Sequence, residues 1–327
     1  MRNFDYARAD NVEHAIALYS RGSGTVFLAG GTTLLDLMKL DVVQPAHVVD
    51  IHKLGLDQIE LLDGNRVRIG AMVSNTDLAR HDHIRKHYPS LSEALLSGAS
   101  TQLRNKATAA GNVLQRVRCG YFRDGISPCN KRVPGSGCAA IDGLNRNVHA
   151  VLGGSTQCIA AHPSDMCVAM VAIGATVHAQ GPRGKRDIAF ADFHLLPGDT
   201  PWNEHALEAG EIITHITLDA PMPGTRSAYL KLRDRGSYQF ALASSAVVIA
   251  LDGSTVRDIR IALGGVATKP WRAVEAEAVM RGKPVSERLI REAAAAAMSG
   301  ARSYGQNGFK LLLGQQAVIR NLTNLTA

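Results

Sequence analysis

Four of the chain's five cysteines, Cys119, Cys129, Cys138 and Cys158, lie within or beside a stretch that has no apolar period. From Cys119 to about Gly154 the sequence is rich in Gly, Pro, Asn and Arg, and it shows neither the 3.6-residue repeat of a helix nor the alternation of a strand. An irregular stretch of that length inside a compact protein is uncommon and usually functional. Nine, eight and nineteen residues separate the cysteines. Disulfides would suit an oxidising compartment. A structural zinc site would normally use a close Cys-x-x-Cys pair, and none is present. An iron-sulfur cluster needs only four converging thiolates and tolerates wide spacing in a loop that wraps it. Spacing alone leaves the cluster and the disulfides open.

Regular structure flanks this segment. Asp10 to Tyr19 has a capping residue followed by helical apolar spacing, and Thr25 to Ala29 is a short apolar strand that runs through Gly30-Gly31-Thr32-Thr33 into a helical Leu34 to Met38. Further strands are predicted at 47–50 and 66–70, and a helix start at Ser74 to Asp77. Pro163-Ser164-Asp165 caps an apolar helix, Met166 to Ala172, and a strand follows near Ala175 to Val177. Pro221 to Gly224 marks a boundary; beyond it come strands at 244–251 and 259–263 and helices near 288–298 and 308–322. This mixture predicts an α+β protein of two units, 1–222 and 223–327, with an insertion at about 115–160. There are no internal repeats.

Two elements are suited to a phosphate-bearing ligand. A glycine turn between strand and helix brings backbone N–H groups close to a ligand where the helix dipole adds positive charge, and Ala29 to Thr33 is such a turn. It is neither the Gly-x-Gly-x-x-Gly fingerprint nor a P-loop. Thr108-Ala109-Ala110-Gly111-Asn112 is a second place where the backbone is built to lie close to something.

Composition excludes several classes. With 327 residues, 46% of them apolar, a large core is available. No run of about 18 apolar residues occurs and the chain carries no export signal, so neither a membrane span nor a signal peptide is expected. The net charge is +7, but the basic residues are scattered and aromatics make up only 5%, which argues against nucleic acid. Cys167, on an apolar helix, reads as a buried inert thiol. The twelve histidines show no metal-ligand spacing, and His162 reads as a local hydrogen-bonding residue.

The loops at 29–35 and 108–112, together with Lys231 to Arg235 and Ile261 to Ala267, resemble the FAD-binding subunits of the xanthine dehydrogenase, carbon monoxide dehydrogenase and aldehyde oxidoreductase family over essentially the whole chain. The cysteine segment, from Arg118 to Phe122 and from Pro128 to Ala140, resembles that of the FAD subunits of bacterial periplasmic aldehyde oxidoreductases. One departure is Ala110, where the family usually has glycine.

The resemblance implies an FAD-binding domain of the PCMH (vanillyl-alcohol oxidase-like) type followed by a smaller α/β domain. It implies FAD contacts at Phe27, Leu28, Ala29, Gly30, Gly31, Thr32, Thr33 and Leu34, at Gly98, and at Thr108, Ala109, Ala110, Gly111 and Asn112. Asp165 would accept hydrogen bonds from cofactor hydroxyls, the Ile213 backbone would meet the adenine, and Lys231 would be a cation near the flavin. Cys119, Cys129, Cys138 and Cys158 would hold a [4Fe-4S] cluster, with Arg116, Arg118, Arg123, Lys131, Arg132 and Arg146 balancing its charge. The implied role is electron transfer, with no catalytic residue of the organic step in this chain. The implied partners are a large molybdenum-cofactor subunit, a small [2Fe-2S] subunit and an external electron acceptor. Export to the periplasm would come through a signal-bearing partner, the alternative being a cytoplasmic complex. The rival function is a free-standing FAD oxidase of a small alcohol; such enzymes often tether flavin through His or Cys in the first loop, which has neither.

Overall fold

The computed structural model describes all residues, Met1–Ala327. Its first layer is a three-stranded parallel sheet in the order Asp5–Arg8, His47–Asp50, Thr25–Leu28. Parallel neighbours need crossovers, which the helices Val12–Tyr19 and Leu34–Lys39 supply. Asn11, not Asp10, caps the first helix, its side chain accepting from His14 N–H at 2.7 Å. The strand Thr25–Leu28 empties directly into the glycine turn.

The second layer is a five-stranded antiparallel sheet in the order 59–62, 66–70, 212–218, 175–181, 184–189. Its central strand, Ile212–Leu218, carries a weak sequence signal, because the adjacent buried Ile212 and Ile213 break the alternation that His215, Ile216, Thr217 and Leu218 otherwise show. Both of its neighbours are strands, and Ile216 and Leu218 are fully buried. The helix Asp165–Ile173 shares this layer's core and is capped by Ser164, whose side chain accepts from Cys167 N–H at 3.2 Å. All nine of its residues are buried, so it is an interior helix with no solvent face.

The third layer is an antiparallel sheet in the order 271–272, 255–264, 243–252, 225–232, backed by the helices Val274–Met280, Glu287–Ala297 and Phe309–Thr326. The helices and sheet enclose a core of their own that includes Val247, Ile261, Ala293 and Val318. The helix Asp165–Ile173 packs on the strands 243–252 and 255–264. Gly264 permits that approach, since a Cβ there would stand 2.4 Å from Val168 Cγ2.

The segment from Arg118 to Ser155 is irregular apart from one helical turn, Gly120–Arg123. Irregular buried backbone must still pair its carbonyls, and two side chains do much of this. Arg132 donates to Tyr121 O and Phe122 O at 2.7 and 2.8 Å, and Asn145 donates to Ala140 O at 3.0 Å and to Tyr304 O at 2.8 Å. The second of these Asn145 bonds ties the insertion to the C-terminal unit.

Candidate functional site

The two glycine-bearing loops meet. A Cβ on Gly30 would fall 1.9 Å from Lys106 O, so only glycine lets the first loop lie against the residues leading into the second. Gly31 has φ of +75°, the left-handed conformation that turns the chain into the next helix. The backbone N–H groups of Gly30, Gly31, Thr32 and Thr33 donate to no backbone or side-chain acceptor, and the Thr33 side chain makes no capping bond. Four orphan donors at a helix start are suited to an anion.

The second loop offers no free donors. Ala109 N–H bonds to Val73 O and Ala110 N–H to Ala71 O, while Gly111 and Asn112 donate to Thr108 Oγ1 and O. Its donors are therefore already committed, and it contributes a close, smooth wall. The Ala110 methyl is accommodated there because that residue is buried in the wall.

Two cavities join along these loops. One, about 360 Å³, is lined by Phe27, Ala29, Gly30, Leu34, Thr108, Ala110 and Ile213 with Val26, Ile51 and Met72, and is largely apolar. The other, about 420 Å³, is lined by Gly98, Asn112, Asp165 and Lys231 with Arg104, Arg118, Tyr238 and Phe240. Thr32, Thr33 and Gly111 line both, so the N–H groups of Thr32 and Thr33 sit where the cavities meet, and those of Gly30 and Gly31 face the apolar one. A long ligand with an apolar head, a central anion and a polar head fits this shape. Leu28 and Ala109 line neither cavity; Ala109 is fully buried behind the wall.

Asp165 and Lys231 form one ion pair of 2.8 Å, with side chains 8% and 4% exposed. Lys231 also donates to Ser97 O at 3.1 Å, and Tyr229 Oη–H donates to Asp165 Oδ1 at 2.5 Å. Burial, then the Asp165 charge, pushes the Tyr229 phenol well above its ordinary value. The carboxylate is thus chiefly engaged by protein donors, and the pair fastens the third layer to the interior helix at the cavity wall. Arg104, whose Nη1 donates to Gly98 O at 2.7 Å, and Arg118, which stacks 4.7 Å over Phe240, were not foreseen as lining residues. Neither lies in a glycine motif, so only the fold could bring them here.

In the irregular segment, Cys119, Cys129, Cys138 and Cys158 line one small cavity, and all four are unpaired thiols. Cys138 is partly exposed and the others are buried. Backbone N–H groups of Tyr121 and Phe122 point at Cys119, those of Ala140, Ile141 and Ile159 at Cys138, and that of Ala160 at Cys158. His149 Nε2 lies 3.3 Å from Cys119 Sγ. Burial pushes the Cys119 thiol up to about 12 and that of Cys158 to about 11, with Lys131 opposing the shift at Cys158. Such thiols ionise only when a cationic centre replaces the proton. No three of the four sulfurs lie within 4.8 Å of one another. A single tetrahedral zinc, with Zn–S of about 2.3 Å, would need sulfurs about 3.8 Å apart.

The six cations expected around these cysteines are mostly engaged elsewhere. Arg116 pairs with Glu204 at 2.5 Å, Arg118 and Arg123 both with Asp36, and Arg146 stacks over Phe309. Arg132 holds carbonyls. Only Lys131, bonded to Glu204 at 3.0 Å and to Pro201 O at 2.7 Å, stands near a thiol. These residues brace the segment against the body of the protein more than they face the sulfurs. His162 makes the local hydrogen bond read from the sequence, its Nδ1 accepting from Ser164 N–H at 3.4 Å, and in space it lies beside Cys167 and His194.

Residues 2–221 match the FAD binding domain in molybdopterin dehydrogenase, and residues 227–322 the CO dehydrogenase flavoprotein C-terminal domain. Over its whole length the chain is 49% identical to the aldehyde oxidoreductase FAD-binding subunit PaoB of Escherichia coli, covering 99% of that protein. It is 30% identical to the carbon monoxide dehydrogenase medium chain of Hydrogenophaga pseudoflava over 90% of this chain and 86% of that one. Among solved structures, carbon monoxide dehydrogenase from Hydrogenophaga pseudoflava superposes with a TM-score of 0.78 at 29% identity, covering 99% of this chain and 97% of the other. On both its domains and its full length, the chain belongs to the FAD-binding medium subunits of the xanthine and carbon monoxide dehydrogenase family, the flavoprotein components of molybdenum hydroxylases.

Proposed function

We propose that this chain is the electron-transfer subunit of a heterotrimeric, molybdenum-dependent aldehyde oxidoreductase, and that it carries a [4Fe-4S] cluster beside its FAD. The observation that carries the reading is two cavities joining along a loop with four unpartnered N–H groups, in a chain 49% identical to an aldehyde oxidoreductase FAD-binding subunit. Electrons from a large molybdenum subunit and a small [2Fe-2S] subunit would enter here and leave to an external acceptor. FAD supplies the exchange between one- and two-electron steps.

The residues divide the work. Gly30 to Thr33 hold the pyrophosphate with backbone donors, the apolar cavity around Phe27 and Ile213 takes the adenine, and the cavity with Arg104 and Lys231 takes the flavin. Cys119, Cys129, Cys138 and Cys158 supply the four thiolates, aimed by the backbone N–H groups around them, and the His149 ring packs against the first. This arrangement suits an iron-sulfur centre, whose sulfurs take hydrogen bonds from the surrounding backbone. The chain divides at 222/223, with the segment at about 115–160 inserted in the FAD-binding unit, and the complex is exported to the periplasm with a partner that carries the signal.

The test is co-expression with molybdenum and [2Fe-2S] subunits. The isolated chain, prepared without oxygen, is expected to hold one noncovalent FAD and about four iron and four sulfide, to leave aldehydes unchanged, and to oxidise them only within the complex. Aldehyde oxidation by the isolated chain would make it a free-standing oxidase, and zinc without sulfide would remove the cluster.

A further inference from the structure

Three side chains used by neither site meet between them. One ring nitrogen each of His162 and His194 and the Sγ of Cys167 lie within 4.8 Å of one another. His194 is 5% exposed and Cys167 is fully buried. The Nε2–H of His194 donates to Val113 O at 3.0 Å, which leaves the lone pair on Nδ1, and that buried atom has no hydrogen-bond partner. A buried acceptor without a partner is rare and calls for a reason. An imidazole whose far N–H is held by a backbone carbonyl is the arrangement in which histidine serves a metal. His162 Nδ1 accepts from Ser164 N–H at 3.4 Å, leaving Nε2 free.

We propose that His162, Cys167 and His194 form a mononuclear site for a thiophilic divalent cation, with Zn(II) its simplest occupant. Two imidazoles and one thiolate select zinc or copper over magnesium or calcium. A cavity of about 320 Å³ lined by His162 and His194 adjoins the group, giving the ion an entry path and water for a fourth position. The site is separate from the four-cysteine segment, although Cys158 lines the same cavity. Its three donors are close enough for one ion, whereas no three of those four sulfurs are. This inference is independent of the aldehyde and of the partner subunits.

The experiment uses the full chain with FAD and its iron centre in place, washed with chelator and equilibrated with one equivalent of zinc sulfate. X-ray absorption at the zinc edge reads the site without interference from flavin or iron. The expected result is about one zinc per chain, with one sulfur at about 2.3 Å and the remaining ligands nitrogen or oxygen. Cys167→Ser should delete the sulfur shell and weaken zinc binding at least about tenfold, because a hydroxyl is a poor soft donor. Retention of less than about a tenth of an equivalent of zinc by the wild-type chain overturns the proposal. So does a first shell of two or more sulfurs, which would place zinc among the other cysteines, or a sulfur that survives Cys167→Ser. The wild-type spectrum decides even where that variant does not fold.

Discussion

Replacing Lys231 by Met leaves the buried Asp165 carboxylate without its cation. Both side chains are under a tenth exposed, and the carboxylate would retain only Tyr229 as a side-chain donor. Removing one member of a buried pair costs about 3–5 kcal/mol, since the remaining charge stays desolvated and uncompensated. Against a total stability of about 5–15 kcal/mol, that loss is severe. The double variant Asp165→Asn/Lys231→Met removes both charges, and Asn still offers Tyr229 an acceptor oxygen. It should cost only about 1–2 kcal/mol, the worth of the one or two hydrogen bonds lost. The assay is urea unfolding of FAD-depleted protein at pH 7, so that lost ligand binding does not enter. The two tryptophans report on different parts: Trp202 lies in a loop beside the cavity that Cys158 lines, and Trp271 lies on the edge strand of the third layer. If the double variant is no more stable than Lys231→Met, or if Lys231→Met costs under about 1 kcal/mol, the pair is not the fastening argued here.

Gly30→Ala should lower FAD per chain and cost about 1–3 kcal/mol, because the new methyl meets Lys106 O; Gly120→Ala, where a Cβ meets nothing within 4 Å, is the control, and an equal flavin content in both would refute the loop contact. Serine at Cys119, Cys129, Cys138 or Cys158 should each remove iron and sulfide while Cys167→Ser keeps them, as measured by metal and sulfide analysis of anaerobic protein; loss only in Cys167→Ser would show the ligand set to be wrong. His215, stacked 4.1 Å from His178, is pushed down to about 4, first by burial and then by that neighbour. An unfolded histidine takes its proton near about 6.5. Between the two values the unfolded state binds more protons, so this contribution is whole above about 6.5 and is lost as pH falls toward 4. Urea midpoints from pH 7.5 to 4 should fall less steeply in His215→Gln than in the wild type, and identical slopes would contradict the assignment.

Much of the molecule is legible wherever an interaction is local. The strand Thr25–Leu28, the turn at Gly30-Gly31, the cap at Ser164 and the helix behind it all follow from residues within a few positions of one another, because turn geometry and capping act over three or four residues. The irregular cysteine segment is visible for the same reason, as a break in period. The strand Ile212–Leu218 is not, since the adjacent buried Ile212 and Ile213 break its alternation and the strands that pair with its edges come from 66–70 and 175–181. The joining of two cavities at Thr32, Thr33 and Gly111, and the arrival of Arg104 and Arg118 beside them, depend on how the layers stack. Asp165 and Lys231 carry no sign in the sequence that they pair, and His194 stands well beyond His162 and Cys167 along the chain. The sequence alone determined which short segments can cradle an anion or present thiols, because backbone freedom and donor chemistry belong to the residues themselves. Only the tertiary structure decided which charges neutralise one another and which ligands converge, because those energies depend on burial and on distances across layers that no local pattern encodes.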